Sequence, residues 1–405
     1  MKHLLFITST NLTTNPRLLK ELQLAIDQGH SAVVIKFNLS NWSQAFEPET
    51  ESSFKSVRFI ELSASRHPFL SWLISLLLEQ ACRLMPSAFL SAKQLSFAVG
   101  RRSYSILKAI KKLNQTFDLV IAHNPQSFYP ALVASKIFNA NLGIDIEDYH
   151  PGETNNKSLS NKVLLLLKQT LPQAYYISYA SPCFYDIINQ EISLNTPKQI
   201  VLLNGFPSKD FTLKNSDTTK LRLVWFSQHV NGGRGLEPLV DAMADFSDQV
   251  ELHLIGQLNP TFDRDFIKGK KGIHIHSPKS QSALHEFLCD FDIGVACDVP
   301  LNINRDLALT NKLIVYAQAG LFILATHTKA QDRFLQESVL EYVQVDPDIE
   351  SYKNVLFTLI SKKKEIENTR VNRFNNALKF CWNENSILLK ELIIKYKYWF
   401  NHVHK

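Results

Sequence analysis

The sequence is poor in cysteine and contains no cysteine motif. Its five cysteines are spread over 405 residues and form no Cys-x-x-Cys pair and no spacing typical of a metal site. This pattern does not fit a disulfide framework. An odd number of isolated cysteines indicates a reducing compartment, so we predict a cytoplasmic protein.

Long apolar runs and strong charge are also missing. No stretch reaches the roughly 18 uninterrupted apolar residues of a membrane-spanning helix, and the apolar run at residues 4–7 is too short for a signal peptide and predicts a first strand instead. The net charge of +6 is mild and diffuse. It permits attraction to a nucleotide or an anionic lipid, but it does not indicate nucleic-acid binding.

A G-x-G-x-x-G motif is absent as well, which argues against a dinucleotide-dependent dehydrogenase. The sequence does contain alternating strand and helix patterns. Pro16 opens a helix that Gly29 closes, between predicted strands at residues 4–8 and 32–37. A similar pattern restarts after the polar, lysine-rich residues 208–220, which we interpret as a linker. These β-α-β units predict an α/β protein with parallel sheets in two domains.

The segment 304–320 predicts a loop and then a helix that begins at Thr310 or Asn311 and ends at Gly320. Free amides and the helix dipole make such a start a natural anion site, and Lys312 adds a positive charge there. The alternative is an ordinary strand-to-helix crossover with a surface lysine.

Two predicted strands of the first half end in polar tips. Residues 117–122 lead into His123, and residues 142–146 lead into a second tip. That second tip contains Asp145, Glu147, Asp148, His150 and Glu153. Ligands bind outside the carboxyl ends of strands in open parallel sheets. The clustered groups could therefore supply a general base or bind a metal; the alternative is a solvated turn with capping carboxylates and a structural histidine.

A glycine-rich turn follows the first predicted strand of the second half. Gly232 and Gly233 allow backbone amides to approach a diphosphate, and the guanidinium of Arg234 can fork onto it. The alternative is a plain turn with an exposed arginine. The formal D-x-D at residues 290–292 precedes its strand and would lie at the opposite end of the sheet, so we predict no metal.

The segment Thr-Asn-Lys-Leu-Ile-x-Tyr-x-x-Ala-Gly at residues 310–320 resembles the donor-binding helix of bacterial GT-B glycosyltransferases of the family 4 type. His123, the acidic tip, Asn204-Gly205 and the glycine-rich turn follow the order of that family's motifs. The resemblance covers most of the chain. It implies two Rossmann-like βαβ domains that face a cleft, with a C-terminal helix that crosses back to the N-terminal domain. The predicted boundaries are 1–205, 206–375 and 376–405.

The resemblance also implies an activity: transfer of a sugar from a nucleotide-diphosphate sugar, the donor substrate, to the hydroxyl of a sugar or lipid-linked acceptor. Retention at the anomeric carbon and a role in bacterial cell-surface polysaccharide synthesis are further implications. No separate cofactor and no metal are expected. Arg234 and Lys312 would neutralise the leaving diphosphate, and His123 would lie against the sugar. The remaining predicted donor contacts are Asn204, Gly232, Gly233, Thr310 and Asn311, while the acidic tip belongs to the acceptor side.

The sequence departs from the family at a Glu-x7-Glu pattern, whose two positions are Leu307 and Val315 here. The usual carboxylate contacts to ribose and donor sugar are therefore missing. Two other functions stay open for this reason. One is a sugar-nucleotide epimerase with the same fold, and the other is a catalytically degenerate protein that binds a ligand or a partner transferase.

Residues 69–78 form a strongly apolar segment, with eight apolar residues in ten, and Arg83, Lys93, Arg101 and Arg102 follow. One interpretation is a surface that contacts the inner face of a membrane or a lipid-linked acceptor. The other is a helix buried between domains or in the first core.

Overall fold

A computed structural model of the chain describes residues 1–195, 197–214 and 218–394. In this part of the chain the strands form two parallel sheets, one of seven strands and one of six. The chain divides into two compact units. The first comprises Met1–Leu202 and Ile387–Lys405, and the second comprises Leu203–Ser386.

The first unit is a parallel sheet with strand order β3-β2-β1-β4-β5-β6-β7. Its strands are β1 His3–Thr8, β2 Ser31–Asn38, β3 Val57–Ser63, β4 Leu119–His123, β5 Asn141–Ile146, β6 Tyr176–Tyr179 and β7 Lys198–Val201. Its helices are α1 Pro16–Asp27, α2 Glu47–Ser52, α3 Phe69–Leu84, α4 Ala92–Val99, α5 Arg102–Ile110, α6 Pro125–Phe138, α7 Lys157–Thr170 and α8 Pro182–Glu191.

The predicted opening β-α-β unit is confirmed. The side chain of Asn15 accepts a hydrogen bond from the amide of Leu18, and Pro16 occupies the first turn of α1, where its missing amide proton has no cost. Strand register places Thr8 beside His123, and His123 beside Asp145. Three neighbouring strands therefore bring their carboxyl ends to one edge of the sheet, which is where ligands bind in such folds.

The second unit is a parallel sheet with strand order β10-β9-β8-β11-β12-β13. Its strands are β8 Leu221–Val230, β9 Val250–Leu258, β10 Ile273–His276, β11 Ile293–Ala296, β12 Phe322–Ala325 and β13 Tyr342–Gln344. The remaining helices are α9 Glu237–Ala242, α10 Pro260–Phe262, α11 Gln281–Leu288, α12 Ile303–Leu307, α13 Asn311–Gln318, α14 Lys329–Glu337, α15 Ile349–Ser361, α16 Lys363–Asn368, α17 Arg370–Asn376, α18 Trp382–Asn385 and α19 Ile387–Ile394, the last of which belongs to the first unit.

The predicted helix at residues 310–320 is confirmed as α13. The side chain of Thr310 accepts a hydrogen bond from the amide of Lys312 at its start, and Gly320 has a positive φ of 71° beyond its end. Tyr316 is fully buried. Its ring occupies the space above Gly294, where a Cβ would lie 2.2 Å from the ring carbon Cγ.

Two predicted loops of the second unit are shorter than expected. Residues 304–307 lie in α12, because the side chain of Asn302 caps it by accepting a hydrogen bond from the amide of Arg305 at 2.8 Å. Strand β8 continues beyond residue 227, since the buried Val230 pairs with Leu258 after an irregularity in the ladder.

The predicted continuous helix from residue 376 is wrong, because the structure breaks it before Ile387. Asn and Ser side chains compete with helix hydrogen bonds, and residues 383–386 contain three of them. The final described helix, α19, returns to the first unit, where the ammonium of Lys2 donates to the carbonyl of Ile393. Residues 395–405 of the predicted helix lie outside the described residues.

Among the described residues, no helix combines the length and the apolar character needed to cross a membrane. All five cysteines are buried and none is in a disulfide. The interpretation of residues 69–78 as a buried helix is wrong. Helix α3 leaves Leu70 68 % exposed and Leu77 60 % exposed.

We expect Gly294→Ala to destabilise the second unit by about 1–3 kcal/mol, because the new methyl group overlaps a buried ring that cannot move away. Combining it with Tyr316→Leu should cost less than the sum of the two single changes. Urea unfolding measures all three variants. Gly100→Ala is the control, since the three atoms nearest to its Cβ would all belong to the end of the Gln126 side chain. If the free-energy changes of the two single variants simply add in the double variant, this result would contradict the contact between Tyr316 and Gly294.

Candidate active site

A buried cluster of charged side chains lies at the carboxyl ends of β4 and β5. His123 ends β4 and Asp145 belongs to β5, while Arg17 and Glu21 come from α1. Arg17 is 4 % exposed and the other three are fully buried. Charges in such an interior are stable only when they are paired with good geometry.

Arg17 supplies that pairing for Asp145. Its Nε donates to Oδ2 at 2.7 Å and its Nη2 donates to Oδ1 at 2.5 Å. Burial alone would raise the pKa of Asp145, but the guanidinium outweighs it and holds that pKa well below its ordinary range. Ser178 donates a further hydrogen bond to Oδ1 at 2.6 Å, and Arg17 Nη1 donates to the Leu202 carbonyl at 2.7 Å. Asp145 is therefore an anchored carboxylate.

His123 lies between two other carboxylates. Its Nδ1 is 2.9 Å from Glu147 Oε1, and its Nε2 is 3.4 Å from Glu21 Oε2. Burial would lower the pKa of His123, but Glu21, followed by Asp145 and Glu147, raises it well above the ordinary value. Neither carboxylate oxygen of Glu21 has a hydrogen-bond partner among the described residues. A proton held by His123 therefore compensates a buried acidic side chain.

Glu147 is the carboxylate of this cluster that reaches solvent, with 16 % of its side chain exposed. Asn124 Nδ2 donates to its second oxygen at 3.3 Å, and Thr8 Oγ1 in turn donates to Asn124 Oδ1 at 2.8 Å. Asn124 adopts a positive φ of 69°, a conformation that carries strain in residues other than glycine. Both oxygens of Glu147 are thus held by side chains from the end of β4.

The predicted acidic tip separates into two pairs. Glu147 joins His123, whereas His150 Nδ1 lies 2.9 Å from Glu153 Oε2. Burial lowers the pKa of His150, but Glu153 outweighs this and raises it above the ordinary value. The carbonyl of Asp148 accepts a hydrogen bond from the amide of His150 at 3.0 Å. His123 itself is buried below Glu147, so the exposed partner of that pair is the carboxylate.

His123, Asp145 and Glu147 offer three metal-ligand atoms within 4.8 Å of one another. The guanidinium of Arg17 occupies both oxygens of Asp145, which disfavours a second cation there. The donor set therefore fits a proton on His123 better than a metal ion.

Two other acidic groups lie away from this cluster. Asp290, before β11, pairs with Lys214 at 3.0 Å, and Asp292 Oδ2 accepts from the amide of Arg222 at 2.9 Å. The D-x-D carboxylates therefore have structural partners at the amino end of their strand. Glu251, His253 and His274, on β9 and β10, also offer three close ligand atoms, but Lys220 lies 3.7 Å from Glu251.

The second unit contains a cavity of about 110 Å³ at the start of α13. Gly233, Arg234 and Thr310, all predicted site residues, line it, and Arg305 lines it as well. Two guanidinium groups beside a helix N-terminus favour an anion. Arg305 was not among the site residues predicted from the sequence. The signal that could have identified Arg305 is its basic side chain shortly before the predicted helix.

The structure changes the expected role of two donor contacts. Lys312 Nζ donates to both oxygens of Asp298, at 2.9 and 3.1 Å, so its charge is already neutralised by a residue that follows β11. The amide of Gly233 donates to Glu237 Oε1 at 2.6 Å. In this conformation, Arg234 and Arg305 are the cations that line the cavity.

Of the other predicted donor contacts, Asn204 has a hydrogen bond to α13 and Gly232 does not line the cavity. Asn204 Nδ2 donates to Asn311 Oδ1 at 2.9 Å. Gly232 is exposed in the turn before α9. Leu307 and Val315 are 7 % and 1 % exposed. The two positions that the family resemblance assigns to carboxylates therefore belong to the apolar core.

No family model matches the chain, and no curated protein matches its sequence. Solved structures do match. HepE of Anabaena in complex with UDP has a TM-score of 0.67 at 14% identity, over 97% of this chain and 99% of that one. Sucrose-phosphate synthase of Thermosynechococcus elongatus has a TM-score of 0.67 at 13% identity, over 98% and 99%. The chain has the GT-B fold.

This confirms the fold predicted from the sequence resemblance. The GT-B fold alone does not decide the reaction. A Listeria monocytogenes protein assigned as a UDP-N-acetylglucosamine 2-epimerase also matches, with a TM-score of 0.58 at 12% identity over 98% of this chain and 97% of that one. The reaction must therefore be inferred from the side chains of the two sites.

We expect Arg17→Met to destabilise the protein by about 3–5 kcal/mol, because it leaves the buried carboxylate of Asp145 without its cation. Urea unfolding measures the loss. Arg264→Met, which removes an exposed arginine paired with Asp265, should leave the free energy of unfolding close to wild type. Equal effects of the two substitutions would contradict the importance of the buried pair.

We expect Glu21→Gln to change how stability depends on pH. The raised pKa of His123 contributes stability that is fully present below its unfolded value of about 6.5 and is lost as pH rises through the folded pKa. Removing the Glu21 charge lowers that folded pKa, so the loss should be smaller and should be complete at a lower pH. The free energy of unfolding in urea, measured across neutral and alkaline pH, tests this prediction. Glu337→Gln is the exposed control. Superimposable profiles for wild type and Glu21→Gln would contradict the coupling.

Proposed function

We propose that the protein is a glycosyltransferase that moves a sugar from a nucleotide-sugar donor to an acceptor hydroxyl. The observation that carries this proposal is the cavity at the start of α13, where Arg234 and Arg305 lie beside the helix N-terminus. A nucleoside diphosphate is an anion that such an arrangement binds. The GT-B fold supports the same class of ligand.

Fixed positive charge is proposed to replace a metal ion in this reaction. As the bond between sugar and diphosphate breaks, negative charge grows on the leaving diphosphate. Arg234 and Arg305 stabilise that charge, and because they are already in place they need no rearrangement during the reaction. Lys312 contributes only if its pairing with Asp298 opens.

The first unit is proposed to handle the proton of the acceptor. Glu147 is partly exposed and is held by His123 and Asn124, so it fits the role of a general base for an acceptor hydroxyl. His123 is buried and acts as a positioning residue, since its positive charge holds the carboxylate in one orientation. His150 and Glu153 form a separate pair that could orient the acceptor.

Finer features of the proposal rest on the family resemblance. They are retention at the anomeric carbon, a role in bacterial cell-surface polysaccharide synthesis, and a sugar or lipid-linked acceptor. A cytoplasmic location is proposed because all five cysteines are buried and none of them is in a disulfide. UDP is the first nucleotide to test, because the HepE structure contains it.

A second candidate is a GT-B protein that binds a nucleotide without transferring a sugar. Three observations favour it: Leu307 and Val315 are apolar core residues, the Gly233 amide is occupied by Glu237, and Lys312 is paired with Asp298. The epimerase alternative has less support, because the cavity of the second unit offers a single carboxylate, that of Asp298, among its lining residues.

Calorimetric titration with UDP, GDP, ADP and their sugar conjugates tests the donor site. We expect one nucleotide to bind, and Arg234→Ala with Arg305→Ala to weaken it by about a hundredfold, since each charge-assisted hydrogen bond contributes about 1.5–3 kcal/mol. The control is Arg264→Ala with Lys271→Ala, which removes the same charge from exposed positions of the same unit. No binding, or equal binding by both double variants, would contradict the site.

A further inference from the structure

Helix α3 is oriented with its apolar side toward solvent. Its buried side chains are the small residues Ser75 and Cys82, and through this side it packs against α4. The opposite side exposes large apolar residues: Leu70 68 %, Ile74 36 %, Leu77 60 % and Leu84 86 %. By contrast, α1 of the same unit buries three of its four leucines. Exposed apolar area of this extent marks an interaction surface.

The exposed residues of α3 form a continuous stripe. Their spacing of four, three and seven positions places Leu70, Ile74, Leu77 and Leu84 on one side of the helix, and sixteen residues extend over about 24 Å at 1.5 Å each. Phe69, at the first turn, is 58 % exposed, and Phe89, just beyond the helix, is 76 % exposed. We call this set the α3 stripe. It is a convex ridge rather than a groove.

A basic pocket adjoins the α3 stripe. It has a volume of about 480 Å³ and reaches the helix at Leu78, and its apolar lining includes Phe97 and Leu107. The lining contains three exposed lysines, Lys93, Lys108 and Lys111. Among the described residues, no acidic side chain contributes to it. An apolar floor with three ammonium groups around it is complementary to an anionic amphiphile.

Basic groups also lie near the first turns of α3. The guanidinium groups of Arg66 and Arg101 lie 5.5 and 5.9 Å from the centre of the Trp72 ring. The single acidic residue of the helix, Glu79, is paired with Arg83 at 2.7 Å. Tryptophan beside arginine is typical of segments that lie in the interface between water and lipid.

We propose that the α3 stripe and the adjoining lysine pocket dock the first unit onto an anionic lipid bilayer. The stripe inserts its leucines among the acyl chains, and the lysines and arginines contact the negatively charged headgroups. A planar surface suits a straight convex ridge. A second copy of the chain suits it less, because a twofold interface would place one basic patch against the same patch of the partner. The inference uses only residues of the first unit and does not depend on the proposed transfer reaction.

Flotation with sucrose-gradient vesicles tests the proposal, with the full chain and no donor present. We expect wild type to float with vesicles of phosphatidylcholine and phosphatidylglycerol, and to bind pure phosphatidylcholine at least about tenfold more weakly. Leu70→Gln with Leu77→Gln should reduce the partition coefficient at least about tenfold, because two buried leucines are lost from the interface. The matched control is Val339→Gln with Phe357→Gln, two exposed apolar residues of the second unit, and it should bind like wild type.

Lys93→Gln with Lys111→Gln should weaken binding to the anionic vesicles by about tenfold or more and leave binding to neutral vesicles unchanged. Lys55→Gln with Lys271→Gln removes the same charge from exposed positions elsewhere and should have little effect. Melting curves establish that each variant is folded. Wild type that fails to float, or an unchanged Leu70→Gln, Leu77→Gln variant, would overturn the proposal. A third outcome is that wild type does not bind vesicles but dimerises reversibly, and that the Leu70→Gln, Leu77→Gln variant does not dimerise. This outcome would overturn the proposal and assign the surface to a second copy of the chain.

Discussion

The buried pair of Arg17 and Asp145 is the constraint on which the first unit depends. It joins two residues 128 positions apart in the sequence, and it fixes α1 against the carboxyl ends of the central strands. The pair is buried, so it is stable only because the guanidinium forks onto both carboxylate oxygens. Once α1 is fixed in this way, Glu21 lies beside His123, and His123 retains the proton that orients Glu147. The exposed carboxylate is thus positioned by a chain of buried charges.

Local signals predicted the elements that carry the site. Pro16 and Gly29 mark the ends of α1, and Thr310 and Gly320 mark the ends of α13, because helix ends depend on a few neighbouring residues. Local signals did not predict which residues pair with the site residues. Glu21 reaches His123 from another element, and Asp298 neutralises Lys312 from the preceding strand end. Only the packing of strands and helices brings these groups together, so no pattern within a short window of the sequence contains them.

Helix α3 shows a related limit. Composition identified residues 69–78 as strongly apolar, but composition does not say which side of a helix faces the core. Two small buried residues, Ser75 and Cys82, decide it, because they allow close packing on α4 and turn the leucines outward. At Leu307 and Val315 the sequence departs from the family's carboxylates, and the structure gives the physical reason: both positions are part of the core. The proposed donor site therefore depends on Arg234 and Arg305.

The central proposal is that the protein transfers a sugar from a nucleotide sugar and that Glu147 is the general base of this reaction. Release of nucleoside diphosphate from nucleotide sugars, measured for wild type and Glu147→Gln, tests it most directly. The account predicts release by wild type and a rate at least about a hundredfold lower in the variant, with calorimetric binding of the nucleotide unchanged. Equal release rates, or binding without release by either protein, would contradict it.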